Sequence, residues 1–286
     1  MYLMAWGPNR LDMMYVLGTG NPPNFITFDS GIESASSDPV FEVLEAAPGT
    51  AKAERDTELH FASDFAERIE DARLAAAYQD LWRVAAAANE CAARGKRLPG
   101  APFQRAISAV RARLLLLRGS LRDIADECLR LGLLAFLSAA AFRSPGSHAH
   151  PHVRAYGPSR PRMHAASHLR VACCALEASD PHLRRLLLWA LTVGAVSVFE
   201  VDQEPWLAGA WGHVARAWEG VGEDRDRRHP RLLSWEEARA DLGRVLWIGR
   251  VLDEPGRKLH ARLAAAVAAS TPSPGAVWGQ ELGVQR

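Results

Sequence analysis

Residues 186–199 read LLLWALTVGAVSVF, an apolar run interrupted only by Thr192, Gly194 and Ser197. Asp180 and Pro181 stand just ahead of it. Asp accepts hydrogen bonds from the free amides of a helix start, and Pro suits the first helical position, so the spacing predicts a helix over 181–199. Fourteen residues fall short of the ~20 that cross a bilayer. A helix that is apolar on every side and does not enter a membrane must be covered on every side by protein. The chain is therefore expected to be an all-α bundle built around this helix.

The partners that such a helix needs are legible in the rest of the sequence. Ala (49) and Leu (34) dominate the 286 residues, and both favour helix over strand. Phe61, Phe65, Ile69, Leu74, Tyr78, Leu81, Trp82 and Ala85 recur at helical spacing, which predicts a helix over 58–94 with one break, stopped by Gly95. Pro99, Gly100 and Pro102 then punctuate the chain. A helix over 103–117 carries Ile107, Val110, Leu114 and Leu117 and ends at Gly119. Ser120, spaced from Asp123 as in a capping box, is expected to open the next, which runs to Phe142. Further helices are expected over 166–178 and from Pro205 to about Gly220. Ser234 and Glu237 form a full capping box for a helix reaching Leu252, which the stretch 253–256 should end. A last helix follows over 259–269. About eight helices and no strand result.

Three stretches stand outside this pattern. Residues 1–56 form an acidic lead segment expected to be loosely ordered: over 1–60 there are 9 acidic and 3 basic residues and no sustained period. Within it, Phe25, Ile26, Phe28, Phe41 and Val43 mix with acids, a composition shared with acidic activation segments, although aromatics packing on the domain explain it more simply. Residues 144–162 hold Pro145, Gly146, Pro151, Gly157, Pro158 and Pro161, and are expected to be a long loop within the helical domain 57–269. Residues 270–286 are a Pro/Ser/Gly tail, expected to be flexible.

A formal charge of +1 removes the cationic field of a dedicated nucleic-acid binder. Arg outnumbers Lys by 31 to 3, which codon bias explains better than phosphate recognition. Cys91, Cys128, Cys173 and Cys174 show no C-x-x-C pair, so neither a disulfide framework nor a zinc cluster is expected, and a reducing compartment fits. No cationic flank precedes an apolar run at the amino terminus, so no signal peptide is expected.

Catalytic motifs are not found. Gly18-Thr-Gly20 lacks the third glycine and the lysine of a phosphate loop and is followed by Pro22 and Pro23. There is no H-E-x-x-H and no G-x-S-x-G. The one chemical cluster is histidine: His148, His150 and His152 alternate, and His164 and His168 are a helical turn apart. Imidazoles so placed suit zinc or copper. Against that, no Asp or Glu lies between Cys128 and Leu176 to orient them, which favours a solvated loop. Trp82, Trp189, Trp206, Trp211, Trp218, Trp235 and Trp247 suit either a ligand pocket or, more simply, the core. No catalytic, cofactor-binding or metal residue is assigned, and no cofactor is expected.

Several short segments occur in an order that resembles the regulatory domain of fungal-specific transcription factors, which follows a six-cysteine two-zinc DNA-binding cluster. They are TELH at 57–60, GKRLP at 95–99, LLLLR at 114–118, LRLGLLAF at 129–136, LLWALTVGA at 187–195, SWEEAR at 234–239, LWIG at 246–249 and LDEPG at 252–256. The resemblance covers about residues 25–265. It implies a nuclear regulator that is not an enzyme and acts on transcriptional coregulators, on a second copy of itself or through a small-molecule inducer. The alternative is a helical enzyme or metal-binding protein using the His148–His168 cluster. A repeat scaffold is disfavoured, because no fixed period of roughly 30 to 45 residues occurs. One departure matters: these residues lack the six-cysteine cluster, so this chain by itself is expected not to bind DNA with sequence specificity. The six arginines of the acid-free stretch, Arg130, Arg143, Arg154, Arg160, Arg162 and Arg170, leave weak, salt-sensitive phosphate contact as the counter-argument.

Overall fold

A computed structural model describes residues 65–96, 100–143, 160–178, 180–199, 201, 204–216 and 231–270. The lead segment, most of the 144–162 stretch and the tail lie outside them. Among the described residues eight helices follow one another: α1 Ala72–Ala93, α2 Gly100–Leu116, α3 Ile124–Arg143, α4 Arg160–Ala175, α5 Pro181–Ser197, α6 Pro205–Val214, α7 Trp235–Val245 and α8 Gly249–Ser270. There is no strand among the described residues, only one bridge between Arg216 and Leu232. No described helix is long and apolar enough to cross a membrane.

The apolar run is the centre of the bundle. Residues 186–195 of α5 are buried without exception, and α5 packs against α3, α4, α6, α7 and α8. Its start is built as expected: Pro181 occupies the first turn, and the Asp180 carboxylate accepts from the amides of His182 (2.7 Å) and Leu183 (2.9 Å). The single polar side chain of the buried run, Thr192, returns its hydroxyl to the Leu188 carbonyl at 2.7 Å. Its most extensive partner is α3, which lies against α5 where Gly132 and Phe136 face the Trp189 ring.

Several boundaries differ from the sequence expectation, each for a local reason. The expected break in the first helix falls at Asp71, whose carboxylate accepts from the amides of Arg73 (2.9 Å) and Leu74 (3.3 Å) and so opens α1. Gly95 and Gly119 take φ of 66° and 71°, the left-handed conformation that Gly reaches without a Cβ clash, as their stop roles require. Gly100 and Pro102 do not precede α2 but form its first turn, where Pro loses no helical hydrogen bond. Likewise α4 opens at Arg160, with Pro161 in its first turn, six residues before the expected start and inside the expected loop. Ser120 does not open α3. Its hydroxyl donates to the Leu117 carbonyl at 2.9 Å, and Asp123 caps α3 by accepting from Ala125 (2.9 Å) and Asp126 (3.1 Å).

The largest departure lies near the carboxyl end. The Ser234/Glu237 capping box is present, but its helix stops at Val245 rather than Leu252. Residues 246–248 leave the helix with Leu246 extended, and α8 then runs through the expected stop, Pro255 included. Residues 246–248 are buried, so their backbone needs partners from outside. Side chains supply them. The Trp189 indole donates to the Leu246 carbonyl (2.6 Å) and the Asn89 amide to the Trp247 carbonyl (2.8 Å), while the Asn89 oxygen accepts from the Gly249 amide (2.9 Å). Just before them, the Tyr78 hydroxyl donates to the Val245 carbonyl at 2.7 Å. A Pro inside a helix costs about 3 kcal/mol. Tertiary packing offsets it here, because the backbone of Gly256 lies against the rings of Trp235 and Trp247, where a Cβ would meet them at 2.8 and 3.0 Å.

Tyr78→Phe is expected to cost about 1–3 kcal/mol, because the buried Val245 carbonyl loses its side-chain donor while the ring volume stays. Chemical denaturation of the two proteins measures it.

Acid stability follows from the edge of the bundle. Phe65 stacks on His182, with ring centroids 4.1 Å apart. Burial, helped by the Arg68 charge, holds His182 below the usual imidazole value. A group with a depressed basic pKa binds fewer protons folded than unfolded, so its contribution is complete above about pH 6.5 and falls as pH drops below it. Asp71, which the Arg73 guanidinium holds down to about 2, adds a second loss of the same sign, beginning near pH 4. Urea midpoints are expected to fall between pH 7.5 and pH 5.5 in the native protein and to fall less in His182→Gln.

Candidate functional site

His148, His150 and His152 lie outside the described residues, as does Trp218. His164 and His168 share helix α4, where His168 is exposed. Among the described residues no three His, Cys, Asp or Glu side chains are arranged to hold a metal ion.

Two of the six arginines are already engaged. Arg130 is buried at 3% exposure and forms a fork on Glu127, at 2.7 and 2.6 Å, with a third bond to the Leu114 carbonyl at 3.2 Å. It therefore ties α3 to the end of α2 and is not available to phosphate. Arg170 is exposed but lies over the Trp206 ring at 5.1 Å and pairs with Glu204 at 3.5 Å. The side chains of Arg143, Arg154, Arg160 and Arg162 lie outside the described residues.

Trp189, Trp211, Trp235 and Trp247 build core. Trp189 and Trp211 are covered, and Trp211, Trp235, Trp247 and His260 form a chain of edge-on rings with centroids 5.2 to 6.4 Å apart. Their polar atoms are used internally. The Trp247 indole donates to Asp253 (2.8 Å), which also accepts from Arg239 (2.8 Å), and the Trp206 indole donates to Glu204. The His260 ring nitrogen meets the Leu233 carbonyl at 3.0 Å. Indole donors committed in this way hold the fold rather than wait for a ligand.

What remains is the outer face of α4. The helix buries Ala166, Leu169, Ala172 and Cys173, with Leu176 just past its end, on the side that packs on α3 and α5, an apolar stripe at helical spacing. The opposite side presents His168, Cys174 and Val171, the last at 66% exposure the most open large apolar side chain described. With no acid from 129 to 175, this face combines an apolar spot, an imidazole and a thiol. Sequence reasoning missed it, although the signal exists: Val171 is an apolar residue off the apolar stripe of its own helix.

Beneath that face the Cys128 and Cys173 sulfurs lie 3.8 Å apart, both buried, while Cys174 is exposed. The hydrogen bond with Cys173, together with burial, pushes the Cys128 thiol well above its usual value. Comparison of the chain with protein-family models, with curated proteins and with solved structures found no match.

Proposed function

We propose that this chain is the regulatory domain of a transcription factor of the fungal-specific kind, acting in the nucleus through protein contacts or inducer sensing rather than by catalysis. The observation that carries the reading is the order of eight short segments from 57 to 256. Three of them lie in or against the core: 129–136 lies in α3, 187–195 in α5, and 246–249 contains the buried residues 246–248, whose carbonyls Asn89 and Trp189 support from adjoining helices. The exposed face of α4 supplies a surface for a coregulator or a second copy.

Tethering tests it. The full chain, fused to an unrelated DNA-binding domain, is expected to raise or lower a reporter severalfold, and Val171→Asp is expected to reduce that effect at unchanged helix content. An expressed, folded, nuclear fusion that leaves the reporter at the level of the DNA-binding domain alone overturns the proposal. Without the tether, promoter and scrambled duplexes are expected to bind equally weakly, with any binding lost as salt rises.

A second reading rests on α4 alone, which places His164 and His168 one turn apart in a continuous helix, a spacing that suits two imidazoles on one metal ion. Elemental analysis separates the two: stoichiometric zinc or copper, lost in His164→Ala/His168→Ala, establishes the metal-binding reading.

A further inference from the structure

We propose that Cys128 and Cys173 form a reversible disulfide that clamps α4 onto α3, making this pair a thiol-oxidation site. The two residues are 45 positions apart in sequence, yet their sulfurs are 3.8 Å apart across the helix contact. Cys128 lies in the second turn of α3 and Cys173 near the end of α4. Side-chain rotation closes a gap of that size toward the ~2.05 Å of a disulfide without moving either helix far.

The position gives the bond a consequence. Helix α4 packs chiefly on α3 and α5, and the long Pro/Gly/His stretch joins α3 to α4 in sequence. A bridge from 128 to 173 encloses that stretch and fixes the helix whose outer face carries Val171 and His168. Cys91 and Cys174 are excluded by place, since Cys91 is buried in α1 and Cys174 is exposed to solvent.

The oxidant class is a small disulfide such as oxidised glutathione. Cys173, which retains 7% exposure, is the entry point. Its thiolate attacks the small disulfide, breaking that bond, forming a mixed disulfide and releasing one thiol. Cys128 then attacks the Cys173 sulfur, its proton passing to the departing small thiolate, and displaces the second small thiol. Two protein thiols are oxidised, one small disulfide is reduced to two thiols, and the two protons leave to solvent and to the departing thiolates.

The test uses the full chain, equilibrated in its native state with reduced and oxidised glutathione at several ratios, then alkylated, digested without reductant and analysed by mass spectrometry. The expected product is a peptide pair joined through Cys128 and Cys173, reversed by dithiothreitol. The oxidised protein is expected to melt roughly 5–10 °C higher than the reduced one, because the bridge restricts the unfolded chain. The rise should persist in Cys174→Ser and vanish in Cys128→Ala. The linked peptides are read in the native sequence, so the outcome does not depend on how well the Cys128→Ala variant folds. Free Cys128 in protein that has taken up glutathione at Cys174, a Cys173–Cys174 linkage, or a bridge that forms only in unfolding concentrations of urea would each overturn the proposal. The bond is independent of the transcriptional reading, and the reporter assay does not bear on it.

Discussion

Leu187→Asp is expected to leave no folded protein. Leu187 is 4% exposed in a stretch of ten buried residues whose one polar side chain, Thr192, is already satisfied by its own helix. Removing Leu forfeits roughly 1.5–3 kcal/mol of apolar burial. The carboxylate then has to be buried without a partner or protonated, which costs several kcal/mol more. Together these rival the about 5–15 kcal/mol by which a domain is ordinarily stable. Far-UV circular dichroism of the soluble fraction decides it: a soluble, fully helical Leu187→Asp protein would refute the central position of α5. Leu187→Met, nearly equal in volume, is expected to cost less than about 1.5 kcal/mol and separates the charge effect from any intolerance of the site.

That helix was legible because its evidence is local. An Asp-Pro start and an apolar run are complete within twenty residues, and so are the Ser234/Glu237 box and the Gly95 and Gly119 stops. The misplaced boundaries are those where a local signal is shared by two structures. Pro reads as a break, yet a first helical turn accepts it, as at Pro102 and Pro161. Ser120 and Asp123 both suit a cap, and which one serves depends on where the preceding turn leaves the chain. The end of α7 was not legible at all. Residues 242–252 keep helical spacing, and the helix stops at Val245 because Tyr78, Asn89 and Trp189, from 57 to 167 residues away, offer partners to the carbonyls of residues 245–247.

Chemistry was harder to read for the same reason. Arg130 looks free in an acid-free run, but its partner Glu127 stands one residue outside that run, a helical turn back. Cys128 and Cys173 carry no spacing motif because α3 and α4, packed side by side, bring them together. The histidine cluster rests on proximity in sequence alone, since His148, His150 and His152 lie outside the described residues. Pairing within one helix turn can be inferred from sequence, whereas pairing across a helix contact requires the packing first.

Substitutions at two glycines, each to Ala, are expected to have opposite signs, and the larger effect lies where α3 crosses α5. A Cβ on Gly132 would lie 2.5 Å from Cζ3 of Trp189, with Cη2 and Cε3 at 3.1 and 3.3 Å. That ring has nowhere to go: it is fully buried, its indole donates to the Leu246 carbonyl, and Phe136 lies beside it with centroids 6.4 Å apart. Gly132→Ala gains up to about 1 kcal/mol of helix propensity. The overlap outweighs this, for a net loss of about 1–3 kcal/mol, and Gly132→Val is expected to lose more. At Gly243, in the last turn of α7, an added Cβ meets nothing within 4 Å, so Gly243→Ala keeps the propensity gain and stabilises by up to about 1 kcal/mol. Trp189→Phe should shrink the ring that Gly132 faces, so the double variant Gly132→Ala/Trp189→Phe is expected to be at least about 1 kcal/mol more stable than the sum of the single effects requires. Urea unfolding of the four proteins of that cycle measures the coupling. Strict additivity would mean that the two residues do not meet, and α3 would then cross α5 somewhere other than at Gly132.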